Sequence, residues 1–251
     1  MKGEKIVFFT IVDDLYYYPA GCHIFVNSFK RFHPDIDLVV FRQDVIDRVM
    51  KEKQINFYQA KPTFAKLLSG QYDLVVNIDC DHIILDRLTE VVDQDYEVGG
   101  VWNYNAYENA SFDTITDTMY VQAGMVASRN PEFWDIWERK NKQAMQYLRK
   151  ENDILNLVWY NDKKVSKMKR LIWDKDIPHY LGCKSLGQEH KWYIRDGKVR
   201  LNDGIVKAYH HARGRAFPKL DFDLYRRWGV RDDVINHLKQ IGHYGQTVTI
   251  K

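Results

Sequence analysis

The sequence predicts an α/β fold. Strand-like and helix-like patterns alternate along the chain. The run Leu74-Val75-Val76-Asn77-Ile78 is nearly unbroken in its apolar character, as in a strand buried on both faces of a parallel sheet. Two carboxylates one residue apart, Asp79 and Asp81, follow directly at its C-terminal edge, where ligands collect in open α/β sheets. The 251 residues suffice for a substantial core, and no internal repeat, low-complexity tract or linker divides them. A single domain over 1–251 with a small C-terminal appendage over about 219–251 is the simplest organisation.

The elements follow in order. Residues 5–11 read as the first strand, and 21–32 as a helix with Ile24, Phe25, Phe29 and Phe32 at helical spacing. Residues 37–41 form the second strand and 45–53 a weaker helix. Pro62 suits the first turn of a short helix through Leu68, which Gly70 ends before the Asp79 strand. A short helix over 87–92, a strand over 97–102 and a polar, aromatic loop to about Tyr120 come next. A strand over 121–127 leads to a strong helix start, with Asn130 as N-cap and Pro131 at the first helical position. Another helix begins near Glu151; beyond it lie a hairpin over 191–201 about Asp196-Gly197, a strand over 205–209 and a closing helix over 232–241.

Composition narrows the classes. No apolar run approaches the roughly 18 residues a membrane span requires, and the N-terminus moves straight into a strand without a signal-peptide pattern. Three widely spaced cysteines provide neither a disulfide framework nor a CxxC zinc site, so a reducing, cytoplasmic setting is expected. The net charge of +3 permits anionic partners without choosing among them. Sixteen Tyr and seven Trp supply faces for bases and sugar rings, although most of them are expected to fill the core and interfaces.

Asp79 and Asp81 together suit Mg2+ or Mn2+, which keep positions open for water and substrate phosphates. For an isolated D-x-D, a pair of solvated loop acids is the better reading. Four separated segments change that balance: Phe64-Ala65-Lys66-Leu67 with Tyr72 to Asp81, Gln122-Ala123-Gly124-Met125-Val126, Glu151-Asn152-Asp153-Ile154-Leu155-Asn156, and His211-Ala212-Arg213-Gly214 with Pro218. In order and spacing, over nearly the whole chain, they resemble the GT-A glycosyltransferases, specifically the retaining branch containing glycogenin and the bacterial lipopolysaccharide galactosyl- and glucosyltransferases. The corresponding family patterns are F-x-K-L…Y-D-x-V-x-x-L-D-x-D, N-A-G-V-M, D-Q-D-x-L-N and H-x-x-G-x-x-K-P. Gln122 stands for Asn, Glu151-Asn152 for Asp-Gln, and Phe217 for the phosphate-binding Lys, with Arg213, Arg215 and Lys219 nearby as substitutes.

The resemblance implies a Rossmann-like mixed sheet flanked by helices, and a metal-dependent transfer of a hexose from a nucleotide-diphosphate sugar, a UDP-sugar, to a hydroxyl acceptor with retention. It assigns the metal to Asp79, Asp81 and His211, an imidazole favouring Mn2+ over Mg2+. His210 is chemically equivalent, and only the spacing to Gly214 and Pro218 selects His211. Donor contacts fall to Asp13 and Tyr16 at the uridine, Lys66, Asp79, and Gly214 with Arg215 at the diphosphate. Gln122, Asn152 and Asp153 form the sugar-facing wall, where Asn152, a neutral amide, is a poor nucleophile, and a covalent double displacement is therefore not expected. Each has a plainer alternative: Asp13 and Asp153 as helix caps, Tyr16 in the core, Lys66 as a solvated helix lysine.

Two other classes stay open. A haloacid-dehalogenase-type phosphatase also ends a strand in D-x-D, usually its first strand and with Thr or Val two residues on, where this chain has Ile83. A non-catalytic nucleotide-sugar-binding module would keep the donor site without turnover. The acceptor is a glycan by resemblance, with a protein or hydroxylated DNA as alternatives.

Overall fold

The computed structural model describes residues 3–12, 20–102, 120–144, 151–174, 179–180, 192–201 and 204–210, with residues 232, 233, 236, 237 and 240. Asp13, Tyr16, His211, Gly214, Arg215, Phe217, most of the 103–120 loop and most of the closing helix lie outside them. In chain order the elements are β1 (Ile6–Ile11), α1 (Ala20–Phe32), β2 (Asp37–Phe41), α2 (Gln43–Lys53), α3 (Ala60–Ser69), β3 (Leu74–Ile78), β4 (His82–Ile84), α4 (Thr89–Val92), β5 (Val98–Trp102) and β6 (Val121–Ser128). Then come α5 (Pro131–Ala144), α6 (Glu151–Asn161), β7 (Arg170–Trp173), β8 (His179–Tyr180), β9 (Trp192–Arg195), β10 (Lys198–Leu201), β11 (Gly204–Val206) and β12 (Ala208–His210). They fall into two compact units, Met1–Ile11 with Asp37–Ile78 and Thr89–Trp173, and Val12–Ile36 with Asp79–Leu88 and Asp174–Lys251.

The first unit is built on a six-stranded sheet of order β2-β1-β3-β6-β5-β7. β1 runs parallel to β2 and β3, but β6 is antiparallel to both β3 and β5, so the sheet around the D-x-D strand is mixed rather than parallel. All five residues of β3 are buried, as its apolar run requires. A core of aromatic and aliphatic side chains covers the sheet: Phe64 of α3 stacks on Phe41 with ring centroids 4.1 Å apart, and Trp134 of α5 stacks on Trp137 at 5.8 Å. Burying each such ring contributes about 1.5–3 kcal/mol. Asn130 caps α5 as its sequence predicts, its Oδ1 accepting the Glu132 N–H at 3.0 Å. Gly70 ends α3 with φ −78°, an ordinary helical value, so its conformational freedom is not what stops the helix.

In the second unit β4 and β12 form an antiparallel pair, and β8-β11-β10-β9 a separate sheet. Asp196 and Gly197 join β9 to β10 with φ of 54° and 68°, the two positive values a type I′ turn needs. The single strand expected over 205–209 is instead two, β11 and β12, in different sheets. Between them the Lys207 carbonyl accepts the N–H groups of Leu85 and Asp86, at 2.8 and 3.3 Å. The segment after β4 is fastened to α1 and the turn that follows it: Ile84 N–H donates to Ser28 Oγ at 3.0 Å, Leu88 N–H to His33 Nε2 at 2.9 Å, and Arg87 grips both oxygens of Asp35 at 2.7 Å. Among the described residues no helix is long and apolar enough to cross a membrane.

Candidate active site

Asp79-Cys80-Asp81 leave β3 and turn sharply into β4. The backbone N–H of His82 and its ring Nδ1 both reach the Asp79 carbonyl, at 3.2 and 2.9 Å. A carbonyl only accepts, so Nδ1 carries the proton and Nε2 the lone pair. In the β4–β12 ladder His210 stands directly opposite His82, and cross-strand neighbours on one face meet. Their rings stack, with centroids 4.2 Å apart and planes 9° from parallel. His210 Nε2 lies 3.1 Å from Asp81 Oδ1. Burial, reinforced by the neighbouring His210, lowers the His82 pKa to about 3, so this ring is neutral at physiological pH.

Among the described residues, Asp81, His82 and His210 bring one potential ligand atom each to within 4.8 Å of one another. All three are buried. A carboxylate and imidazoles are the side-chain types that take a divalent transition ion; the His82 nitrogen 3.9 Å from Asp81 Oδ1 is Nδ1, whose proton is already given to the Asp79 carbonyl, and its ring backs that of His210 by stacking. Asp79, half-buried, precedes them. The sequence selects His211 as the imidazole partner of the D-x-D; the structure puts His210 beside Asp81, and His211 lies outside the described residues.

A second polar group belongs to the first unit. The β5–β6 register jumps from Gly100 opposite Val126 to Val101 opposite Gln122, so Ala123 loses its place in the β5–β6 ladder. Side chains take over its backbone: Ala123 N–H donates to Asn152 Oδ1 at 2.7 Å, and its carbonyl accepts Asn77 Nδ2 at 2.9 Å and Lys61 Nζ at 3.3 Å. Asn156 spans Val121 in the same way, accepting its N–H at 2.8 Å and donating to its carbonyl at 2.7 Å. The α6 segment predicted to form the sugar-facing wall is therefore tied to the Gln122-Ala123-Gly124 strand by its own amides. Asp153 is buried, and its Oδ1 accepts the Tyr120 hydroxyl, while burial and then that carboxylate push the Tyr120 pKa up. Gln122 is buried as well.

Lys66, the predicted donor-contacting base, is half-exposed and bridges Asp135 at 2.7 Å and Glu138 at 3.2 Å, the Asp135 hydrogen bond raising its pKa. Lys61, one and a half turns earlier on α3, escapes notice in the sequence. It is buried, with its ammonium 2.7 Å from Glu151 and in reach of the Ala123 carbonyl. His82 escapes notice too; the signal for it was a histidine directly after the D-x-D.

No protein-family model and no curated protein matches the sequence. Solved structures do match. A galactosyltransferase, LgtC, in complex with donor and acceptor sugar analogues, is similar at 16% identity over 97% of both chains, with a TM-score of 0.55. A bifunctional glycosyltransferase, WbbM, is similar at 12% identity over 90% of this chain and 52% of that one, with a TM-score of 0.53. The mixed sheet and its flanking helices are the fold this chain shares with those two glycosyltransferases.

Proposed function

We propose that this protein is a glycosyltransferase that uses a divalent ion, Mn2+ or Mg2+, to move a hexose from a UDP-sugar to a hydroxyl group of a glycan, with retention at the anomeric carbon. The observation that carries the proposal is the meeting of Asp81 of the D-x-D with an imidazole, that of His210, in a chain with the fold of LgtC. Asp79, Asp81 and His210, with His211 next to it, would hold the ion. When bound, such an ion offsets the charge that gathers on a departing diphosphate. Asp13 and Tyr16 are assigned to the uridine, and Gly214 and Arg215 to the diphosphate, where a guanidinium is the better fork for phosphate oxygens. Gln122, Asn152 and Asp153 remain the proposed sugar-facing wall. Lys61 joins them, because its ammonium is tied to the same strand and helix. Lys66 keeps the donor-contacting role implied by resemblance only if it leaves Asp135 and Glu138.

In the proposed reaction the bond between the anomeric carbon and the β-phosphate oxygen breaks. The acceptor oxygen bonds the same carbon on the same face, and its proton passes to the departing phosphate. Asn152 supports this front-face course: it is a neutral amide whose oxygen is occupied by the Ala123 N–H, a poor start for a covalent intermediate.

The test is a thermal-shift screen of UDP-, GDP- and CDP-sugars with and without Mn2+, followed by assay of nucleotide release. A UDP-sugar with Mn2+ should raise the melting temperature by mass action, and EDTA should silence turnover. Asp79→Asn and Asp81→Asn should each stay folded and lose about a hundredfold or more in rate, as expected when a stabiliser of the transition state is removed. Full activity in EDTA would overturn the metal role. Binding of UDP with no release from any sugar nucleotide would leave a binding module in its place.

A further inference from the structure

We propose that Tyr120 is a positioning residue for the transfer: its hydroxyl holds the Asp153 carboxylate in one orientation in the sugar-facing wall, as a fixed negative charge for the sugar ring while the anomeric bond breaks. The proposal rests on the glycosyltransferase reading and adds to it a residue that none of the four motif segments contains. Three observations carry it.

The first is the contact itself. The Tyr120 hydroxyl donates to Asp153 Oδ1, and both side chains are buried, so water does not compete for the bond. The second is the frame around it. Asp153 lies in the first turn of α6, between two amides that fix that helix to β6: Asn152 accepts the Ala123 N–H, and Asn156 grips both backbone groups of Val121. Tyr120 directly precedes β6, so the hydroxyl bond extends the same seam by one residue. The backbone of Asp153 is therefore set by its neighbours, and the hydroxyl removes the freedom its side chain has left. The third is the chemistry of the donor. A phenol is uncharged, and burial, then the Asp153 carboxylate, push its pKa up, so it keeps its proton and holds the carboxylate without cancelling its charge. A lysine in that place would neutralise Asp153.

The consequence follows from when charge appears. As the bond to the diphosphate lengthens, the sugar takes on oxocarbenium character, with positive charge on the anomeric carbon and ring oxygen. A carboxylate already fixed in an enclosed site stabilises that charge without reorganising at the moment of reaction, whereas one free to turn gives up part of the effect. Loss of Tyr120 should therefore appear in kcat and not in donor binding.

Tyr120→Phe removes only the hydroxyl. Transfer and nucleotide release would be measured on the full chain across UDP-sugar concentrations with Mn2+, beside Asp153→Asn and the double variant, with urea denaturation of each to verify the fold. A misplaced group at a reacting centre costs up to about a hundredfold, so Y120F is expected to lose about 10–100-fold in kcat, with the donor KM changed by less than about twofold. The double variant should be no slower than D153N, because once the charge is gone its orientation has no effect. A Tyr120 that only supports the fold would lower stability and leave kcat alone. Wild-type kcat in folded Y120F, or full additivity of the two losses in the double variant, would overturn the proposal. D153N decides even if Y120F does not fold: its amide oxygen still accepts the hydroxyl but carries no charge, and wild-type kcat there would overturn the role of Tyr120 as well. These outcomes leave the glycosyltransferase reading in place. Wild-type protein that releases no nucleotide from any sugar nucleotide would overturn both.

Discussion

His33 shows how one buried side chain ties stability to pH. It follows α1, stacks on Phe29 with ring centroids 4.8 Å apart, and accepts the Leu88 N–H through Nε2. Burial, and then the charge of Arg87, lower its pKa from 6.5 to about 4. The unfolded chain therefore takes up this proton more readily than the folded one. The stability contributed by the neutral ring is fully present above pH 6.5 and is lost as the pH falls toward about 4. Between pH 7 and 4.5 the loss should be roughly 2–3 kcal/mol, from 1.36 kcal/mol per pKa unit. Urea titrations of the wild type and His33→Gln at both pH values check this: the variant, whose amide oxygen can still accept the Leu88 N–H, should lose less by about that amount, and equal losses would assign the acid sensitivity elsewhere. The two lysines of α3 differ at this scale as well. Lys66 makes exposed ion pairs, worth at most about 1 kcal/mol, whereas Lys61 is enclosed with a partner whose charge would be stranded by its removal.

At the scale of elements, the join of α6 to β6 rests on amides replacing a strand ladder. Asn156 is wholly buried and serves both backbone groups of Val121, along with the Asn152 carbonyl at 2.7 Å. Asn156→Ala would leave a buried N–H and carbonyl without their partner and should destabilise the fold by about 2–4 kcal/mol. Chemical denaturation measures that loss. A cost below about 0.5 kcal/mol would mean that water or a shifted backbone replaces the amide. The same join explains why Glu151-Asn152-Asp153 was legible as a motif and yet not as a structure. Its acids and amides suggested a sugar-facing wall, but which of them turn inward to the strand depends on the β5–β6 register shift, which no local pattern announces. Two glycines of β5 are fixed by packing of the same kind: a Cβ on Gly99 would lie 2.5 Å from the Trp173 ring, and one on Gly100 2.4 Å from Val121.

For the molecule as a whole, the proposed chemistry predicts its stereochemical outcome. An α-linked donor should give an α-linked product, read from the anomeric coupling in an NMR spectrum. An inverted product, with Asp153→Asn abolishing transfer but not donor binding, would make Asp153 the base that deprotonates the acceptor and end the retaining assignment. The alternation of strands and helices from β1 to α6 except for β4, the buried character of β3, the Asn130 cap and the Asp196-Gly197 turn were determined by the sequence itself, because each follows from residues within a few positions of one another. So was the presence of a D-x-D at a strand's end. β4, β7 and β8 were not legible there. Only the tertiary structure decided which partners these pieces meet. The mainly apolar residues over 204–210 suit one strand as well as two, and pairing with different neighbours splits them into β11 and β12. That split sets His210 across from His82 and against Asp81, and the fold of α3 buries Lys61 while exposing Lys66. Periodicity along a chain records which face of an element is apolar; it carries no record of the distant residue that will lie opposite, and the candidate metal cluster is made of such distant pairings.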